Sequence, residues 1–256
     1  MEIAVENLCV KLGKKSILSR LYFSIPSGSF VAILGPNGAG KSTLLRAVAG
    51  FIKFDGKLLV NSKKSKGLIS EKNAMSYVPQ NLSIPLGMTV GEYVMLGRTK
   101  QSNWFFGERE KDYKAVIKAL ETLDLDSKST QLVATLSGGE MQRATLARAL
   151  AQGAEVLLLD EPIAAMDFAR VIDSLRVLNK IRTNYKLTIL MATHDINSLS
   201  RYADFALVLK HGQNLYSGEF SGIIEKNFLE NLYDTKIEFL KNKEGYSMIF
   251  ANPSAK

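Results

Sequence analysis

The run Gly35-Pro36-Asn37-Gly38-Ala39-Gly40-Lys41-Ser42-Thr43 has the spacing G-x-x-x-x-G-K-[ST] of a phosphate-cradling loop. Glycines let successive backbone N–H groups curl round phosphate oxygens without a Cβ in the way. A helix starting at the end of the loop adds partial positive charge at the same point. The Lys41 ammonium would then sit near the β and γ phosphates, and the Ser42 hydroxyl could ligate Mg²⁺. The plainer alternative is a glycine-rich turn beside an unrelated lysine, and it leaves the strand–loop–helix context to coincidence. By itself the loop implies only that a nucleoside triphosphate binds.

A second group supplies hydrolytic chemistry. Val156-Leu157-Leu158-Leu159-Asp160-Glu161-Pro162 is an apolar run ending in two acids. In a parallel sheet that end lies beside the phosphate loop. Asp160 can then hold Mg²⁺ directly or through water, and Glu161 can face the attacking water as a general base. An acid pair capping a helix is the simpler alternative. His194, in Thr193-His194-Asp195, closes another apolar run and is placed to reach the γ phosphate. The other histidine, His211, falls in an expected turn and has no assigned role. A third group is Ser137-Gly138-Gly139-Glu140. Ser137 and Glu140 have capping-box spacing, and the two glycines leave N–H groups bare at the start of a helix expected over Met141 to Gln152. That makes a second anion site on the same chain.

The elements that must position these residues are also legible. Phe30-Val31-Ala32-Ile33-Leu34, Val156 to Leu159 and Leu187 to Ala192 are short continuous apolar runs, the pattern of buried parallel strands. A helix is expected over Thr43 to Gly50, and Phe168, Val171, Ile172, Leu175 and Leu178 fall on one helical face. Strands alternating with such helices give an α/β sheet with functional loops at the strand C-terminal ends. Between about Met88 and Gln152 strand-like runs are few, and Tyr113, Val116, Ile117, Leu120 and Leu123 repeat at helical spacing, so a mostly helical lobe is inserted there. The N-terminal part is more β-like, with antiparallel strands expected at Ile3 to Lys11 and Leu21 to Ile25. Hairpins are expected at Phe205 to Leu209 with Leu215 to Ser217, and at Lys236 to Leu240 with Tyr246 to Phe250.

Composition bounds the partners. With 256 residues, 46% hydrophobic and 23% charged, the chain can bury a large core without disulfides, and Cys9 is its only cysteine. The N-terminus lacks a basic stretch followed by an apolar run, so no signal peptide is expected. The apolar runs fall far short of the roughly 20 residues of a spanning helix, so a soluble chain that meets membranes only through a partner is expected. The net charge of +8 suits phosphate ligands, but its lysines are scattered, with Lys63, Lys64 and Lys66 the densest group. No interleaved basic and aromatic run exists, and nucleic acid is not an expected partner.

Taken with the phosphate loop, Leu136-Ser137-Gly138-Gly139-Glu140-Met141-Gln142-Arg143 resembles the signature motif of the ABC ATPases. The resemblance implies an α/β P-loop NTPase core with an N-terminal antiparallel β part and an inserted helical lobe. It implies an ABC ATPase domain over residues 1–225, with the core at about 1–87 and 153–225, the lobe at about 88–152, and a short C-terminal extension at 226–256. Gln80, in Tyr77-Val78-Pro79-Gln80, matches the family's Q-loop glutamine, which touches Mg²⁺ and the attacking water. Asp167, in Ala164-Ala165-Met166-Asp167, matches the D-loop aspartate, and His194 the switch histidine. Family members pack head to tail, so Ser137, Gly138 and Gly139 would meet the ATP held by the loop of a second copy. Two departures stand out. Leu12 occupies the place where an aromatic ring commonly stacks on adenine, and Ile163 and Ala164 replace common hydroxyl residues.

The segment Leu86-Gly87-Met88-Thr89-Val90-Gly91-Glu92-Tyr93-Val94-Met95-Leu96-Gly97-Arg98 is similar to that of importers of iron–siderophore, haem and cobalamin complexes. That similarity implies transmembrane permease subunits, an extracytoplasmic substrate-binding protein, and a peripheral place on the cytoplasmic face of the membrane. Residues Ser83 to Met88 would contribute to the permease contact. A zinc or manganese importer is the near alternative. A soluble ATPase of the iron–sulfur assembly type would keep the same motifs. A non-hydrolytic DNA-associated module is disfavoured by Glu161 and His194.

Overall fold

The computed structural model describes residues 1–68, 75–80, 86–99, 110–164, 166–241 and 247–251. Along the chain, β1 (Ile3–Leu12) and β2 (Lys15–Ile25) form an antiparallel pair and lead into β3 (Phe30–Leu34) and α1 (Lys41–Ala49). Next come β4 (Asp55–Val60), β5 (Lys63–Ser65) and β6 (Met75–Val78), then the helices α2 (Val90–Met95), α3 (Glu110–Thr122) and α4 (Gly138–Gln152). The chain returns through β7 (Val156–Asp160), α5 (Phe168–Tyr185), β8 (Thr188–Ala192), α6 (Ile196–Leu199), β9 (Phe205–Lys210) and β10 (Gln213–Glu219). It finishes with α7 (Lys226–Tyr233), β11 (Ile237–Lys241) and β12 (Ser247–Ala251).

The central sheet has the order β10-β9-β3-β8-β7-β6, parallel except for β10, and a second antiparallel sheet runs β2-β1-β4-β5. All five residues of β3, β7 and β8 are buried, because both faces of the central sheet are covered. Strand alternation divides the apolar residues. Val31, Ile33, Val156, Leu158 and Leu190 face the antiparallel sheet and α1, while Phe30, Ala32, Leu34, Leu157, Leu159 and Met191 face α5 and the helices between β6 and β7. The register aligns Ile33 and Asp160 with Ala192, and Val78 with Leu159, so four parallel strands end at one edge. The loops that carry Lys41, Gln80, Glu161 and His194 leave from that edge.

The helices α2, α3 and α4 pack on one another around Tyr93, Val94, Val116, Leu120 and Ala144. A buried ion pair, Arg98 Nε to Asp112 Oδ1 at 2.8 Å, links the end of α2 to α3, and Arg98 also donates to the Ala151 carbonyl at 2.7 Å. The second shared partner matters because a desolvated charge needs its hydrogen bonds filled. At the C-terminus Leu229 and Leu232 of α7 enter the main core, and the Asn197 amide bonds both the N–H and the carbonyl of Ile249, tying β12 to α6.

Several boundaries differ from the sequence expectations. The antiparallel strand β2 starts at Lys15, six residues before Leu21, because its first residues pair with the end of β1 rather than forming a loop. The helix α4 starts at Gly138 rather than Met141, since the Ser137 cap lets the two glycines enter the first turn. Phe168 is 80% exposed and does not belong to the buried face of α5, which is Val171, Ser174, Leu175, Leu178 and Ile181. Tyr113 and Ile117 are also more than half exposed, because α3 buries only the stripe Val116, Ala119 and Leu120. Tyr246 lies outside the described residues.

The β9–β10 hairpin has a two-residue turn, His211-Gly212, with φ of 50° and 73° at the two positions, the backbone of a type I′ hairpin. Its tip carries load beyond the turn. Gly212 N–H donates to the Ala39 carbonyl in the phosphate loop at 3.2 Å, and Ser19 N–H donates to the Gly212 carbonyl at 2.9 Å. A Cβ on Gly212 would lie 2.0 Å from the Ile17 carbonyl oxygen. Gly212→Val is therefore expected to lower unfolding free energy by about 2 kcal/mol or more, through left-handed strain plus the clash. Denaturant unfolding checks this, and a midpoint equal to the parent's would contradict the buttress.

Candidate active site

The phosphate loop leaves β3 and enters α1 at Gly40, whose φ is 104°, so the helix begins with bare N–H groups. Packing requires glycine at Gly35, and the left-handed φ of 104° requires it at Gly40. A Cβ on Gly35 would lie 2.1 Å from the Leu209 carbonyl oxygen, and one on Gly40 would lie 2.5 Å from Leu18 Cδ2. Gly38 is different: a Cβ there meets nothing within 4 Å, so its φ of 78° serves the curl of the loop rather than protein packing. Lys41 is 5% exposed and folds back into the loop, donating to the carbonyls of Gly35 at 2.9 Å and Pro36 at 3.2 Å. Pro36, Asn37, Ala39 and Thr43 complete the loop, with Ala39 buried against it.

Asp160, at the end of β7, is 2% exposed. Its carboxylate is satisfied on both oxygens: the Ser42 hydroxyl donates to Oδ1 at 2.7 Å and the Tyr77 hydroxyl donates to Oδ2 at 2.8 Å. A carboxylate and a hydroxyl converging at the mouth of the loop are hard oxygen donors, the set that suits Mg²⁺ rather than a soft metal. The residues present therefore fit that ion, which would share Ser42 and Asp160. Glu161 follows with φ of 48°, a left-handed backbone unusual for glutamate, held by its N–H donating to the Ala192 carbonyl at 3.0 Å. Such a conformation costs on the order of 1–3 kcal/mol and turns the side chain away from the strand's alternation. One Glu161 oxygen lies 3.6 Å from Lys41 Nζ and the other 3.4 Å from His194 Nδ1. His194 is more than half exposed. Lys41, Ser42, Asp160, Glu161 and His194 thus form one contiguous cluster at the strand ends.

Other expected residues lie apart from it. Gln80 follows β6 by two residues with an exposed side chain. Asp167 caps α5, accepting from Arg170 N–H at 3.0 Å and pairing with Arg170 Nε at 3.2 Å. Leu12 closes β1 with about half its surface exposed. Ile163 is buried and Ala164 exposed, while Ala165 lies outside the described residues. At Ser137 both arms of the capping box are present. Its backbone N–H donates to Glu140 Oε2 at 2.8 Å, and its hydroxyl accepts from Glu140 N–H at 3.4 Å. The Lys128 ammonium against Glu140, together with the Ser137 N–H, holds that carboxyl down to about 2. A Cβ on Gly138 or Gly139 would meet nothing within 4 Å. Among the described residues no hydrogen bond or ion pair joins Ser137, Gly138 or Gly139 to the phosphate loop. The serine-capped start of α4 and the phosphate loop are therefore separate features of the one chain.

Tyr77 is the functional neighbour that sequence reasoning missed. In the sequence it stands only as part of the run Tyr77-Val78-Pro79-Gln80, which gives no hint of a hydroxyl on Asp160. A further feature is an apolar groove of about 610 Å³ in the helical region, bordered by Met88, Met95, Leu96, Tyr113 and Ile117. Tyr113 and Ile117, which fall at helical spacing with Val116 and Leu120, line this groove and stay exposed. Residues 83–85 of the expected permease contact lie outside the described residues. Among the described residues no helix is long and apolar enough to cross a membrane.

The caged position of Lys41 gives a direct expectation. Lys41→Ala should weaken ATP binding about tenfold or more, because a charge-assisted contact to phosphate is lost. The fold should persist. Fluorescent ATP titration alongside circular dichroism checks both, and unchanged affinity would remove Lys41 from the phosphate site.

Comparison with known proteins agrees with this geometry. A family described as ABC transporter matches residues 18–164, more than half of the chain. The ferric enterobactin transport ATP-binding protein of Escherichia coli (strain K12) is 34% identical over 231 residues, covering 89% of this chain and 85% of that protein. The iron(3+)-hydroxamate import ATP-binding protein of Bacillus subtilis (strain 168) is 31% identical over 245 residues, covering 93% of this chain and 90% of that one. A hemin import ATP-binding protein of Hydrogenovibrio crunogenus is 32% identical over 259 residues, covering 96% and 98%. Among solved structures, a metal-chelate type ABC transporter in an inward-facing conformation superposes with a TM-score of 0.86 at 28% identity, covering 98% of both chains. With the phosphate loop, the acid pair and the serine-capped glycine helix all in place, the chain belongs to the ABC transporter family, as an ATP-binding subunit that hydrolyses ATP.

Proposed function

We propose that this chain is the ATP-hydrolysing subunit of an importer for an iron–siderophore or haem complex. In this reading two copies close head to tail on two ATP molecules. The observation that carries it is the separation of two groups: Lys41, Ser42, Asp160, Glu161 and His194 gather at the strand ends, while Ser137, Gly138 and Gly139 open α4, and among the described residues no hydrogen bond or ion pair joins them to the first group. The cargo class rests on the relatives, which act in siderophore and hemin import. The same relatives favour it over zinc or manganese import and over a soluble assembly ATPase.

The roles follow from position. The Lys41 ammonium leaves the Gly35 and Pro36 carbonyls for the β and γ phosphate oxygens. The N–H groups from Gly35 to Thr43 hold the phosphates. Ser42, Asp160 and Gln80 would hold Mg²⁺, which would supply positive charge beside the phosphate oxygens. Glu161 takes the proton of the attacking water, His194 steadies the γ phosphate beside it, and ADP and phosphate leave. Ser137 and Gly139 of the second copy close over the γ phosphate, with Gly138 lending its N–H and Asp167 joining the two sites. Core residues 1–87 and 153–225 carry the hydrolytic cluster, residues 88–152 act as a lobe, and residues 226–256 are a C-terminal extension. The groove bordered by Met88, Met95 and Leu96 receives a permease segment, holding the chain at the cytoplasmic face of the membrane, below an extracytoplasmic binding protein.

Glu161→Gln tests the hydrolytic assignment. It should keep ATP binding, accumulate an ATP-dependent dimer on size-exclusion chromatography, and lose about 10²–10⁴-fold in turnover, the usual worth of a general base. Turnover at the parent rate would assign the base elsewhere.

A further inference from the structure

Tyr77 sits where two regions meet. Its hydroxyl donates to Asp160 Oδ2 at 2.8 Å, while Ser42 donates to Oδ1 of the same carboxylate. Its ring stands edge-on to Phe51, with centroids 5.3 Å apart and planes at 89°. The same ring borders a cleft of about 250 Å³, together with Phe51, Leu96, Arg148 and Gln152. The strand that carries it is anchored as well, because the Gln152 amide at the end of α4 donates to the Met75 carbonyl at 2.9 Å. Arg46 Nε approaches the Tyr77 hydroxyl only at 3.5 Å, the outer limit of a hydrogen bond, so the Asp160 contact dominates.

We infer that Tyr77 is a positioning residue: it fixes the rotation of the Asp160 carboxylate, and so the magnesium affinity of the nucleotide site, from the cleft beside α4. This rests on the reading of Asp160 as a magnesium ligand. A carboxylate with one oxygen donated to by Ser42 could still rotate about its Cβ–Cγ bond. The Tyr77 hydroxyl on the second oxygen removes that freedom. One lone-pair direction on each oxygen is then spent on protein, which leaves one on each for an ion. Outer-shell donors to a metal-binding carboxylate typically govern 10–100-fold in metal affinity. Because the Tyr77 ring is also a wall of the cleft, a side chain entering that cleft and an ion at Asp160 act on one residue.

The test uses Tyr77→Phe, which keeps the ring and its contact with Phe51. ATP affinity is measured with a fluorescent analogue in magnesium and in EDTA, in a Glu161→Gln background so that no hydrolysis intervenes. Tyr77→Phe should leave affinity in EDTA unchanged and cut the gain on adding magnesium about tenfold. The magnesium concentration for half-maximal ATPase in the otherwise native chain should rise in step. Equal losses in magnesium and EDTA would make Tyr77 merely structural and overturn the inference. A parent that gains from magnesium and a variant that gains equally would overturn it alone. A parent with no magnesium gain would overturn it together with the magnesium reading of Asp160.

Discussion

The buried Asp160 carboxylate is the constraint on which the rest of the structure depends. At 2% exposure it needs donors in place of water, and it finds them on two other elements, Ser42 from the first turn of α1 and Tyr77 from β6. Those donors reach it only because β3, β7, β8 and β6 end at one level, a consequence of the parallel register in which Asp160 and Ile33 both align with Ala192. A slip of one residue would turn Asp160 to the other face of the sheet and leave a carboxylate without partners. The alignment that fills the strands with apolar residues on both faces therefore also sets the chemistry.

The phosphate loop is shaped from outside as much as from within. Gly35 is glycine because the Leu209 carbonyl approaches too closely for a side chain, whereas Gly38 and Gly40 are glycine for their backbone angles. The β9–β10 hairpin, far along the chain, bonds the loop through Gly212 and Ala39. Lys41 fills the loop with its own ammonium, close to Glu161, so in the proposed reading a triphosphate would insert by exchanging partners with the loop carbonyls. The strained φ of Glu161 aims its carboxylate into that cluster.

Much of this was legible in the sequence where the signal is local. Continuous apolar runs read as the buried strands β3, β7 and β8, glycine spacing as the loop, and the Ser137–Glu140 interval as a cap. The helix α4 starts three residues before Met141: a cap at Ser137 makes Gly138 its first residue, and the low helix propensity of the two glycines is what argues for a later start. Helical spacing alone does not fix burial: Tyr113 and Ile117 face an open groove, and Phe168, at the start of α5, is 80% exposed. Tyr77 could not be found, because its partner is 83 residues away in sequence and nothing local marks the contact.

The central claim is that one chain holds half of each ATP site, the other half being the Ser137-Gly138-Gly139 start of α4 on a second copy. The most direct measurement is a structure of the chain bound to magnesium and a non-hydrolysable ATP analogue. The account predicts γ phosphate oxygens within hydrogen-bond distance of Lys41 in one copy and of Ser137 and Gly139 in the other. A nucleotide-filled structure in which the helix start of every copy faces solvent, away from any phosphate, would contradict it.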